Sequence, residues 1–142
     1  MAIEEIKKRF VNEIKLRAYD DKYIDKNEER EILQIAIQLG VSIDSARGAL
    51  VSVCDEHNYV VESVVLKQVK DQVETAFSND GKIDQKEFGD ALSLLKTRTQ
   101  GKKNEIQCKR MIIEIIEENN YKVKTGLFSN WFTRTKREVG MA

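Results

Sequence analysis

The stretch Asp21-Lys22-Tyr23-Ile24-Asp25-Lys26-Asn27-Glu28 returns later in the chain as Asp80-Gly81-Lys82-Ile83-Asp84-Gln85-Lys86-Glu87. Both read D-x-x-I-D-x-x-E, and both follow an Ala-aromatic pair, Ala18-Tyr19 and Ala76-Phe77. The apolar positions that come after them also agree: Ile32, Leu33 and Ala36 in the first copy, Ala91, Leu92 and Leu95 in the second. Asp25 and Asp84 stand where a helix N-cap belongs. Glu28 and Glu87 follow three residues on, which is the capping-box arrangement with Asp in place of Ser or Thr. Two acid-rich helix-turn-helix corners are therefore expected, and they make the fold all-α.

The rest of the chain agrees with that class. Ile3, Ile6, Phe10, Ile14 and Ala18 form one helical stripe in a first helix over residues 2–18. A second helix runs from the Asp25 cap to Leu39, and Gly40 ends it. A third, over about 44–57, is capped by Ser42 or Asp44 and turns Ala46, Leu50, Val53 and Cys54 inward, with a break at His57-Asn58-Tyr59. Val61, Val65, Val69, Val73 and Phe77 recur at four-residue steps in a fourth helix. They are β-branched, but the polar residues between them fix a helical period. Phe88, Ala91, Leu92 and Leu95 mark a fifth helix ending near Thr97, and residues 99–103 are a polar connector. Asn104 caps a sixth helix to about Glu118. Tyr121-Lys122-Val123-Lys124 alternates like a short strand, Thr125-Gly126 reads as a turn, and a short terminal helix is expected from Asn130 to about Val139.

The 142 residues include no proline, which favours long helices. The length suits one domain: a single bundle of six to seven helices. Residues 1–100 are expected to form the helical core. Residues 101–142 would add the sixth helix and an aromatic, basic C-terminal extension packed on that core, with space for a small β-hairpin. Formal net charge is zero, so overall charge points to neither nucleic acid nor membrane. Its distribution is uneven: six acids against two lysines from Asp71 to Asp90, and five bases against Glu138 from Tyr121 onward. Cys54 and Cys108 read as reduced core thiols of a cytosolic protein. The N-terminus lacks the apolar region of a signal peptide, and no stretch is long and apolar enough to span a membrane.

For the corners, the plainest reading is structural: Gly81 supplies a positive φ, the aspartates cap, and Ile24 and Ile83 plug the joint. The second copy also resembles the back half of an EF-hand calcium loop. With Gly81 on that loop's glycine, Ser78, Asp80, the Lys82 carbonyl, Asp84 and Glu87 approach the about six to eight oxygens that calcium takes. Ala76 then falls on the first ligand position and offers no side-chain oxygen. In the first copy that position is Arg17, and Lys22 replaces the glycine. Neither copy is a competent EF-hand.

Residues 18–29 and 76–87, together with Leu39-Gly40-Val41-Ser42, resemble the tellurite-resistance TerB-like family over about residues 13–97. The resemblance implies an all-α bundle with two neighbouring acidic joints. It also implies a cytosolic interaction module of bacterial stress or defence systems, sensitive to divalent ions. Carried over by position, the acidic site is Asp21, Asp25, Glu28, Asp80, Asp84 and Glu87, for weak Ca²⁺ or Mg²⁺ binding with no other cofactor. Lys22 departs from the family pattern, where a glycine is usual.

Catalysis finds little support. His57 is the sole histidine, and Cys54 lies three residues before it without an evident orienting group. The motifs of phosphate-binding loops, dinucleotide sites and zinc proteases are absent. The tail has a structural reading, in which Trp131 and Phe132 cap the core while the bases are solvated, and a functional one as a docking surface. Tyr121, Phe128, Trp131 and Phe132 interleave with Lys122, Lys124, Arg134, Lys136 and Arg137. Tyr121, Lys124, Phe128, Trp131, Phe132, Arg134, Lys136 and Arg137 are the expected contact residues. A protein groove is the expected partner, since Trp, Tyr and Arg carry binding energy there. A single-stranded nucleic acid bound by stacking is the alternative. The sequence thus predicts a non-enzymatic interaction or regulatory protein.

Overall fold

Each acidic corner turns the chain between two helices and places one isoleucine in the core. In the computed structural model, which describes residues 3–17, 21–126 and 129–141, seven helices and one small parallel sheet are present. The order is α1 (Ile3–Arg17), β1 (Tyr23–Ile24), α2 (Lys26–Gln38), α3 (Ile43–Glu56), β2 (Val60–Val61), α4 (Glu62–Asp80), α5 (Gln85–Arg98), α6 (Glu105–Glu118) and α7 (Trp131–Glu138). The all-α class and the helix positions match the periodicity. Ala18, Tyr19, Asp20, Leu127 and Phe128 lie outside the described residues. Among the described residues no helix is long and apolar enough to cross a membrane.

The chain forms two compact units, Met1–Val64 and Val65–Ala142, and the division falls in the first turn of α4. In the first unit, α1, α2 and α3 pack on one another. Ile6, Phe10, Ile14, Ile24, Ile32, Leu33, Ala36, Leu50 and Val53 belong to one buried cluster. Of the expected α1 stripe, Ile6, Phe10 and Ile14 are buried and Ile3, at the helix start, is 39% exposed, while Ala18 lies outside the described residues. In the second unit, α6 packs on both α5 and α7. Val69, Ile83, Leu95, Cys108, Ile112, Ile113 and Ile116 are fully buried there.

The corners differ from the expectation in one respect: each carries a short parallel pairing. Tyr23 and Ile24 form β1, which pairs with Val60 and Val61 of β2. Ile83 pairs in parallel with Val123. In the first unit the Val60 N–H donates to the Lys22 carbonyl at 2.9 Å. In the second, the Ile83 N–H donates to the Lys122 carbonyl (2.8 Å) and the Lys124 N–H to the Ile83 carbonyl (2.7 Å). Parallel strands need a long crossover, which α2 with α3 and α5 with α6 supply. Tyr121–Lys124 therefore does extend as its alternation predicts, but its partner is the acidic corner of its own unit. Gly126 and Ser129 form a separate isolated antiparallel bridge.

Left-handed residues close the helices. Gly40 (φ 85°), Asn58 (60°), Gln100 (54°), Asn120 (55°) and Gly140 (76°) each follow a helix C-cap. In each case the next residue's N–H reaches back to the last full turn, as Tyr59 does to the Cys54 carbonyl (2.8 Å) and Tyr121 to that of Ile116 (3.0 Å). This is the Schellman arrangement. The acidic corners contain two more left-handed positions, Lys22 (φ 52°) and Gly81 (76°). Lys22 thus adopts the conformation that glycine adopts in the second copy.

A non-glycine residue pays about 1–2 kcal/mol in that region, and a Cβ at Gly81 would otherwise meet nothing within 4 Å. Lys22→Gly should therefore stabilise the protein slightly, by up to about 1 kcal/mol after the extra chain entropy of glycine. Gly81→Lys should destabilise it by about 1 kcal/mol. Urea denaturation of the two variants checks both signs.

Candidate functional site

Every side chain that defines the repeated motif is bonded or packed in the same way in both copies. Asp21 Oδ1 accepts the Tyr23 N–H at 3.1 Å, and Asp80 Oδ1 accepts that of Lys82 at 3.1 Å. Ile24 (0% exposed) and Ile83 (1%) fill the joint. Asp25 Oδ1 accepts the Glu28 N–H at 2.8 Å, while Glu28 Oε1 accepts the Asp25 N–H at 3.1 Å. Asp84 and Glu87 exchange the same two bonds at 2.7 and 3.0 Å. Both capping boxes are complete, as the Asp-to-Glu spacing predicts.

The six carboxylates of the expected divalent-ion site are therefore each engaged by a backbone amide in their own corner. The parallel partner of each corner also lies within its own unit: His57–Val61 for the first and Tyr121–Lys124 for the second. Among the described residues no group of three or more His, Cys, Asp or Glu side chains is arranged to hold a metal ion. The first corner nonetheless concentrates negative charge. Burial pushes the Glu28 carboxyl above its ordinary value, although its hydrogen bond from the Asp25 amide lowers it; the charges of Asp25 and Asp21 add to the rise.

Two corner partners went unread in the sequence. Glu56-His57-Asn58-Tyr59-Val60-Val61 and Glu118-Asn119-Asn120-Tyr121-Lys122-Val123 share the pattern E-[HN]-N-Y-x-V. Each holds a helix end, a left-handed asparagine and the strand that meets an acidic corner. The repeated Asn-Tyr was the available signal.

The remaining expected sites sort by burial. Cys54 is 1% exposed, and burial, followed by the charges of Asp55 and Glu29, pushes its thiol up to about 12. It is a thiol at neutral pH, while His57 is the exposed C-cap of α3. In the tail, Trp131 is 4% exposed and serves the core rather than an outer surface. Its Nε1–H donates to the Lys124 carbonyl at 2.9 Å, and its ring lies 5.4 Å from that of Phe88. Tyr121 is half-buried with its ring 4.9 Å from Phe77. Phe132 is half-buried beside Trp131, with Lys136 Nζ 5.8 Å from its ring. Lys136 pairs with Glu117 at 2.8 Å. Lys124, Arg134 and Arg137 are exposed, and Phe128 lies outside the described residues. The tail surface is thus cationic, with its described aromatic rings turned partly or wholly inward.

Compared with known proteins, the chain matches no family model, no curated protein and no solved structure.

The capping geometry sets the expected energetics. Asp25→Ala and Asp84→Ala should each cost about 1 kcal/mol in chemical denaturation, while Asp→Asn should retain most of the cap. Glu28 gives a pH test. Its folded pKa is raised, so between its unfolded value and that raised value the folded chain binds more protons. Its contribution to stability therefore falls as pH rises through that window. Glu28→Gln, which keeps the capping geometry, should gain stability relative to the native chain as pH rises from about 4 to 7. Urea midpoints across that range measure the difference.

Proposed function

We propose that the chain is a non-enzymatic, cytosolic protein-interaction or regulatory module of TerB-like type, working in a bacterial stress or defence system. The likeness of residues 18–29 and 76–87 to that family supports the biological setting. The observation that carries the interaction reading is an apolar surface around the α2–α3 turn. Ile37 (46% exposed) and Ile43 (48%) bracket it, and Leu39 and Val41 between them are only half-buried. A single exposed apolar residue is ordinary, but several around one turn make a patch that association would cover. Leu16, 78% exposed on α1, adds a further apolar point in the same unit.

The corner carboxylates fit a structural role with weak divalent-ion affinity at most, since each already accepts a backbone amide. The high pKa of the Cys54 thiol argues against a nucleophilic Cys–His pair. The alternative, a nucleic-acid-associated regulator acting through the tail, draws on exposed Lys124, Arg134 and Arg137. It is the weaker reading because Trp131 and Tyr121 are engaged by the core and so are poorly placed to stack on bases.

Affinity capture from native cells tests the main reading. Ile37→Glu with Ile43→Glu should abolish co-purification of a protein captured by the native chain, while Arg134→Glu with Arg137→Glu should leave it in place. The reverse pattern, accompanied by nucleic acid and lost at high salt, would favour the alternative. Deleting residues 121–142 is a poor test, because it removes Trp131 and the strand that pairs with Ile83.

A further inference from the structure

The α5–α6 corner carries a concentration of charge of one sign. Residues 91–104 include Lys96, Arg98, Lys102 and Lys103 and no acid. One of these cations has a structural duty: Lys96 pairs with Glu105 at 2.6 Å. Arg98 and Lys102 are exposed and make no ion pair among the described residues. Cations in the last turn of α5 do offset the helix dipole. That explains Arg98 in part, but Lys102 lies beyond the helix, on the far side of the Schellman turn.

The corner also has shape and apolar surface. Ser93, Leu94, Thr97, Arg98 and Gln100 line an open cleft of about 460 Å³. Ile106, in the first turn of α6, is 50% exposed. The turn itself is fixed, because Gln100, Gly101 and Lys102 each donate their N–H to a carbonyl of the preceding helix end. A cleft with a guanidinium and a leucine on its wall, followed within eight residues of the chain by an exposed lysine and an exposed isoleucine, suits a ligand with both carboxylates and apolar side chains. Guanidinium binds carboxylate through two parallel hydrogen bonds.

We propose that the α5–α6 corner docks an acidic, amphipathic segment of a partner protein, with Arg98 and Lys102 meeting its carboxylates. Charge complementarity selects this occupant: Lys96 is paired with Glu105, but Arg98 and Lys102 are exposed cations in a stretch, residues 91–104, that contains no acid. Nucleic acid fits less well, since residues 89–120 contain no aromatic side chain or histidine to stack on a base. The inference rests on the reading of the chain as an interaction module, but it concerns a different surface from the Ile37–Ile43 patch.

Fluorescence anisotropy on the full chain tests it, with a labelled amphipathic peptide of glutamates and leucines as probe. Arg98→Glu with Lys102→Glu should weaken binding at least about tenfold, whereas Lys8→Glu with Arg9→Glu on α1 makes the same charge change and should leave it unaltered. Replacing the peptide's glutamates by glutamines should weaken binding by a similar factor. Circular dichroism confirms that both variants are folded. Equal loss in the two variants would overturn the proposal, as would undiminished binding by the corner variant or no binding by the native chain. Tighter binding of an oligo-thymidine or of anionic vesicles, lost in the corner variant, would overturn it in favour of that ligand. Failure here with Ile37- and Ile43-dependent capture intact would leave the interaction reading standing.

Discussion

A chain that leaves one helix and at once enters another exposes backbone amides that neither helix can satisfy. The fold depends on how the two acidic corners meet that demand. In each, one aspartate takes the amide two residues ahead, and a second aspartate and a glutamate exchange amide bonds across the first turn of the next helix. With those amides satisfied, the isoleucine between the aspartates can be buried completely. Without the caps, burial of Ile24 and Ile83 would bring unsatisfied donors with it.

The same chemistry bears on function. A carboxylate that accepts a backbone amide retains lone pairs, but its orientation is already fixed by the fold. An ion site made from these groups would have to use them as the caps leave them, and each corner finds its strand partner inside its own unit. This favours surfaces away from the acidic motif as the places where the chain meets other molecules. The apolar α2–α3 turn and the cationic α5–α6 corner are such surfaces, and they occupy corresponding turns of the two units. One is apolar with Asp44 beside it, and the other carries four cations in fourteen residues.

Much of this was legible in the residues. Asp25 with Glu28, Asp84 with Glu87 and Asn104 with Gln107 announce helix starts, because a capping box is local chemistry written in neighbouring residues. Gly40 announces a helix end for the same reason. What escaped was non-local. Nothing near Tyr23 says that Val60 is its partner, because a two-residue parallel pairing gives no alternating pattern long enough to detect. The division between units fell inside α4, where the four-residue valine spacing is unbroken. Composition left Trp131 open between a docking surface and a cap on the core: its indole N–H donates to the Lys124 carbonyl and its ring packs on Phe88, which favours the cap. Tryptophan beside cations is equally suited to closing a core.

Native-state amide hydrogen exchange examines the corners most directly. The duplicated capping box and parallel pairing require that the amides of Glu28, Glu87, Val60, Ile83 and Lys124 be protected far beyond that of Gly126, which is exposed. Exchange of the five corner amides at the rate of an open chain, in a protein whose helix interiors remain protected, would contradict the claim that these corners hold the fold together.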